Sequence, residues 1–127
     1  MSETAVQARI RLALGKLHHV RAFRNNRGLF WAGKPIAKTE TTITLEYPRR
    51  VEAGLVNGAS DLIGWTSVTI TPKMVGQKLA VFTSAEVKDQ ASITADQARW
   101  IDAVNAAGGI AGIVRSPEDA LRLVGAI

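Results

Sequence analysis

Three side chains of this sequence could do hydrolytic chemistry if the fold gathered them. Glu86 and Lys88 lie two positions apart in "VFTSAEVK", and Asp61 opens the apolar stretch "DLIGWTSVTITP" directly after the turn signals of "NGAS". Two carboxylates in a half-buried cleft are expensive, because each has lost water and each repels the other. A divalent cation offsets that expense. Mg2+ and Mn2+ take such oxygen donors and complete their coordination with backbone carbonyls and water. A lysine next to the cation could orient or deprotonate an attacking water. An E-x-K triplet alone most often marks an exposed strand edge with an ion pair, so it gains meaning only with the elements that position it.

Read with a period of two, Phe82, Ser84, Glu86 and Lys88 share one strand face, with Val81, Ala85 and Val87 on the other. "DLIGWTSVTITP" and "GQKLAVFTSAEVK" are rich in β-branched and aromatic residues and are separated by a turn around residues 72 to 76. They are expected to be antiparallel neighbours, which would set Asp61, Glu86 and Lys88 at one end of a sheet. Residues 3 to 17 read as a helix with Ser2 as N-cap and a stripe of Val6, Ile10, Leu14 and Leu17. At about 100° per residue Glu3 falls within that stripe, which points it inward, although a first-turn acid also answers the helix dipole on any face. Thr94 and Gln97 form a T-x-x-Q capping box for a second helix ending near Gly108-Gly109. Gln97 also lies on the stripe of Trp100, Ile101 and Val104, and one side-chain conformation is not expected to serve both cap and core.

"HVRAF", "GLFWA" and "ETTITLEYP" read as further strands, "RNNRG" as a turn and "RRVEAGLVNGAS" as a loop. "IAGIV" is a short buried strand, and Ser116-Pro117 opens a last helix through Val124. The order is that of a mixed α/β chain. A length of 127 residues with 46% hydrophobic and 21% charged content predicts one domain, 1–127. There is no cysteine, hence no disulfide or thiolate metal site, and neither a secretory signal nor a membrane-length apolar run is apparent, so a cytoplasmic location is expected. Trp31, Trp65 and Trp100 are expected in the core. Ten of the sixteen Lys and Arg, but only three acids, fall in residues 1 to 50, which leaves +7 there. Such a half is what a phosphate-tracking surface looks like, and also what an ordinary solvated face looks like.

The ordered set resembles the PD-(D/E)xK nuclease superfamily, and more narrowly the stand-alone VRR-NUC (virus-type replication-repair nuclease) domains of phages and bacteria. The residues that carry it are Glu3 in "SETAVQ", "RNNRG", "GLVNGASDLIG", "EVK", Gln97 in "TADQARWIDAVNAAGG" and the closing "IVRSPEDALRLV", nearly the whole chain. The resemblance implies a restriction-endonuclease-like core, a mixed central sheet flanked by helices. It makes Asp61 and Glu86 the metal-binding acids with the carbonyl of Val87, Lys88 the catalytic lysine, and Glu3 and Gln97 accessory residues. Ser60 stands where the superfamily's name has Pro, a position that supplies turn geometry and no chemistry. The implied activity is a Mg2+- or Mn2+-dependent DNA endonuclease, a homodimer resolving four-way (Holliday) junctions. A nuclease of flaps, nicks or ends, or a decayed DNA-binding module, would share the fold. Arg24, Asn25, Arg27, Arg49 and Arg50 are the expected DNA contacts. Residues 33 to 50 exceed the family pattern and display Lys34, Lys38, Arg49 and Arg50. The apolar side of the last helix, Leu121 and Val124 with the terminal "GAI", is expected to serve ordinary core packing, with a dimer contact as the alternative.

Overall fold

The computed structural model describes residues 2–126; Ile127 of the terminal "GAI" lies outside the described residues. In chain order the elements are α1 (Glu3–Gly15), β1 (Val20–Arg24), β2 (Gly28–Lys38), β3 (Ile43–Ala53), β4 (Leu62–Thr66), a 3-10 turn (Pro72–Met74), β5 (Thr83–Val87), α2 (Ala95–Ala106), β6 (Ile110–Val114) and α3 (Pro117–Leu123). The class is mixed α/β. The chain divides into two compact units, Met1–Arg21 with Gly64–Ile127, and Ala22–Ile63. No helix among the described residues is long and apolar enough to cross a membrane.

In the first unit β5 and β6 pair in parallel, from Thr83 opposite Ile110 to Val87 opposite Val114. Parallel strands need a crossover, and α2 provides it. Helix α2 packs on both strands and α3 on β6, so the pair is flanked by helices. Val104, Ala111 and Val114 are buried at this junction. The close fit has a visible cause in the sequence: a Cβ on Gly109 would lie 2.7 Å from Val104 Cγ1 and 2.9 Å from the Phe82 carbonyl oxygen, so only glycine lets helix and strand approach this far. Asn105 then locks the return, accepting from the Ala111 amide and donating to its carbonyl, both at 2.9 Å. Trp65, Phe82 and Trp100 form an aromatic cluster with centroids 5.1 to 6.2 Å apart.

In the second unit β2 and β3 form an antiparallel ribbon, Gly28 opposite Ala53 to Lys38 opposite Ile43, with irregularities after Ala32 and Pro35. Proline removes a ladder donor, and a bulge in an edge pairing is where it is tolerated.

Several expectations are corrected here. Arg49–Ala53 belongs to β3 and not to a loop, because each residue finds a partner on β2. The apolar stretch after Asp61 is a strand only over Leu62–Thr66, and it pairs with β1, while β5 pairs with β6. The expected antiparallel pairing of β4 with β5 is therefore absent among the described residues. β4 lies beside β1 and β5 beside β6, and the segment that joins β4 to β5 contains the 3-10 turn Pro72–Met74. The stripe of α1 is also not buried: Val6, Ile10 and Leu17 are 41%, 45% and 42% exposed. Trp31, expected in the core, is 59% exposed on the ribbon.

Candidate functional site

Strand β5 places its polar face inward. Ser84, Glu86 and Lys88 are half-buried whereas Thr83, Ala85 and Val87 are exposed, the alternation read from the sequence with its unusual sense, acid and lysine on the covered side. Helix α2 is the cover. Trp100 Nε1 donates to Ser84 Oγ at 2.8 Å, and one turn earlier Gln97 Nε2 donates to Glu86 Oε1 at 2.6 Å. Lys88 Nζ stands 3.5 Å from the same Oε1, with the Lys88 and Glu86 side chains 20% and 32% exposed. An ion pair this sheltered is screened less by salt than one on open surface. Gln97 donates to Oε1 and the Lys88 ammonium lies beside the same oxygen, while among the described residues no hydrogen bond is made to Oε2. The carboxylate thus keeps a free oxygen while its orientation is held by the other.

The expectation that Gln97 could not serve both cap and site is overturned, because the two ends of its amide do different work. Oε1 accepts from the Thr94 backbone N–H at 2.9 Å, Nε2 reaches Glu86, and the Gln97 amide N–H donates to Thr94 Oγ1 at 3.2 Å. The capping box is complete while the same side chain grips the acid.

Asp61 belongs to the other unit and is carried by the loop between β3 and β4. Its carboxylate is exposed, and among the described residues no side chain donates to it. What organises this loop is Asn25. The Asn25 amide N–H donates to the Asp61 carbonyl at 2.9 Å, Nδ2 donates to the Ser60 carbonyl at 3.0 Å, and Oδ1 accepts from the Leu55 amide at 3.0 Å. Asn25 was read as a DNA contact; the structure gives it a role in holding the loop that presents Asp61. Arg27 likewise donates to Asn57 Oδ1 at 2.5 Å, which ties its guanidinium to the same loop. Gly54 enters that loop at φ 88°, where a Cβ would lie 2.9 Å from Arg27 Cα, so both the backbone angle and the approach require glycine.

Of the remaining expected contacts, Arg24, Arg49 and Arg50 are exposed, the last two opposite Ala32 and Trp31 on the ribbon. Arg50 pairs with Glu52 at 3.3 Å, both well exposed, a contact of little energetic weight. Glu3 sits in the first turn of α1, exposed, and no contact among the described residues links it to Glu86; with its stripe uncovered, the helix-dipole role is the one the geometry supports. Val87 lies in the β5–β6 ladder with its side chain outward.

Two further residues were missed. Arg115, directly after β6, donates through its guanidinium to the carbonyls of Asp89 (2.7 Å) and Ala91 (3.0 Å), fastening the loop that leaves Lys88. Ser84 holds Trp100, and its place two before Glu86 was the available signal. An apolar cavity of about 540 Å3 in the first unit is lined by Trp65, Val68, Leu79, Phe82 and Val104 among others, and by none of Glu86, Lys88 or Gln97. The chemistry-bearing groups, not the cavity, mark the candidate site, because only they combine sheltered charge with a free acceptor. Among the described residues no three His, Cys, Asp or Glu gather as a metal-binding group. The chain matches no family model, and neither a curated protein nor a solved structure matches it with significance.

Proposed function

We propose that the chain is a divalent-cation-dependent DNA endonuclease with a PD-(D/E)xK-type core, acting on branched DNA, with the four-way junction as its first substrate. The single observation that carries this reading is the sheltered Glu86 carboxylate, held at Oε1 by Lys88 and Gln97 and open at Oε2. Mg2+ keeps several waters and is commonly held by one or two carboxylates together with substrate phosphate, so a crowd of three acids is not needed. Glu86 Oε2 and the Val87 carbonyl would hold the cation. When bound, such an ion polarises a phosphate oxygen and makes water a better nucleophile.

The chain's own residues do the rest. Gln97 keeps the carboxylate from rotating. Lys88, an ammonium 3.5 Å from Glu86, orients a water and balances the charge that builds on the phosphate in the transition state. Arg24, Arg49 and Arg50, all exposed, are available to phosphates and fix register without reading sequence. Resolving a junction takes two opposed cuts, which a two-fold homodimer supplies from one interface.

The test is a cleavage panel of four-way junction, flap, nicked, duplex and single-stranded DNA with Mg2+ or Mn2+. Parent protein should cut a branched substrate, and Glu86→Gln should bind it without cutting. Cleavage by Glu86→Gln at the parent rate sinks the assignment. A preference for flaps or nicks would change the substrate class and leave the site as described.

A further inference from the structure

The Gln97 amide has one orientation that chemistry permits. A backbone N–H can only donate, so the end of the amide facing Thr94 N at 2.9 Å must be the oxygen. The nitrogen end is thereby turned to Glu86 Oε1, at 2.6 Å. An ionised carboxylate accepts and cannot donate, so a flipped amide would face it with oxygen against oxygen and would abandon the Thr94 N–H as well. The N-cap residue of helix α2 and the acid of strand β5 are therefore coupled through a single side chain.

We propose that Thr94 is a positioning residue for Glu86, acting through Gln97: its backbone N–H fixes the amide so that Gln97 presents a donor to Oε1 and leaves Oε2 for a cation. The coupling of cap and acid is a property of the hydrogen bonds alone, and only its consequence for a cation rests on the nuclease reading. A helix cap that served the helix alone would be indifferent to what Gln97 does at its far end.

Gln97→Glu separates the two roles. Threonine followed three residues later by glutamate is itself a good capping box, so a purely capping Gln97 should be replaced without loss, or with a small gain. If Gln97 is the donor to Glu86, the substitution sets two carboxylates against each other. The variant should then melt about 4 °C or more below the parent at neutral pH. A variant as stable as the parent at neutral pH overturns the proposal.

The role of the Thr94 N–H is read by comparing Thr94→Pro with Thr94→Ala. Both lose the hydroxyl, but only proline loses the N–H, and the φ of −78° at this position suits proline. The Gln97 side-chain amide signals in a nitrogen-15 spectrum should stay displaced from free-glutamine values in the alanine variant and move towards them in the proline variant. Mn2+ alone, titrated calorimetrically, should bind the proline variant about 10-fold more weakly than the alanine variant, the scale of losing an outer partner of a ligand. Identical amide signals in the two variants overturn the proposal. If the signals differ and the parent binds no Mn2+, the positioning stands and the metal reading falls. Should Thr94→Pro fail to fold, an ester in place of the peptide bond between residues 93 and 94, which removes the same N–H and keeps the threonine side chain, takes its place, and Gln97 amide signals identical to the parent's overturn the proposal.

Discussion

At the scale of single residues the structure redistributes roles more than it removes them. Glu86 and Lys88 were legible because alternation put them on one strand face, and that face proved to be the covered one. Gln97 was legible from helical phase; its double use was not, because a sequence shows that two roles compete and not that an amide has two ends. Asn25 gained a use for a related reason. Polar residues in a basic turn suggest a surface contact, and only the fold shows both ends of this amide also bonded to Leu55 and Ser60. Two predictions belong here. Lys88→Ala should leave Mn2+ binding in place and lower turnover about 10²-fold or more, the scale of a general acid-base contribution. An unchanged rate would make Lys88 a neutral member of an ion pair. Asn25→Ala should lower stability by about 1 kcal/mol or more through loss of its loop bonds. The same variant should leave the salt dependence of DNA binding as it was. A changed salt slope with parental stability would restore the original reading of Asn25 as a phosphate contact.

At the scale of elements, what was legible was whatever is decided locally. Ser2 and Thr94 were read as caps and Ser116-Pro117 as a helix opening, and each of the three hydroxyls accepts from the amide three residues on, because capping depends on a few neighbouring residues. Strand pairing was not legible in the same way. β4 and β5 have the composition of a hairpin, yet a ladder is a choice among several partners, and the parallel partner brought by α2 took β5. The α2–β6 return shows what that choice depends on. Gly109 allows the approach and Asn105 locks it, so a methyl group at 109 should act on the whole βαβ unit. Gly109→Ala should destabilise the chain by about 1 to 3 kcal/mol, as overpacking against backbone and a buried valine does. A denaturation curve with a parental midpoint would show that β6 can shift at no cost. It would also remove this junction as the reason why β5 pairs as it does.

At the scale of the whole molecule, the basic half of the sequence is not a spatial unit. Helix α1, with Arg9 and Arg11, belongs to the unit that holds Glu86, while the unit of Ala22–Ile63 has six Lys and Arg against four acids. Positive charge is thus shared: +2 on that unit and +3 on the remainder, which together make the +5 of the chain. The phosphate-binding residues have to be found one by one, and salt dependence is the way to find them. Each phosphate neutralised by Lys or Arg contributes about 0.9 to the slope of log K against log salt on duplex DNA. A monomer gripping through Arg49 should therefore lose about 0.9 of slope in Arg49→Ala, whereas a two-fold dimer carries every substitution twice and should lose about 1.8. The same doubling should appear for Arg24 and Arg50, two further exposed arginines of this unit. Light scattering fixes the expectation independently, at about twice the 13.6 kDa of the chain for a dimer. A particle of dimer mass with single-step slopes would mean that only one copy holds the DNA, which is incompatible with paired cuts across a junction. A monomer with single steps would leave Glu86, Lys88 and Gln97 as a one-cut site and move the substrate from junctions to flaps or nicks.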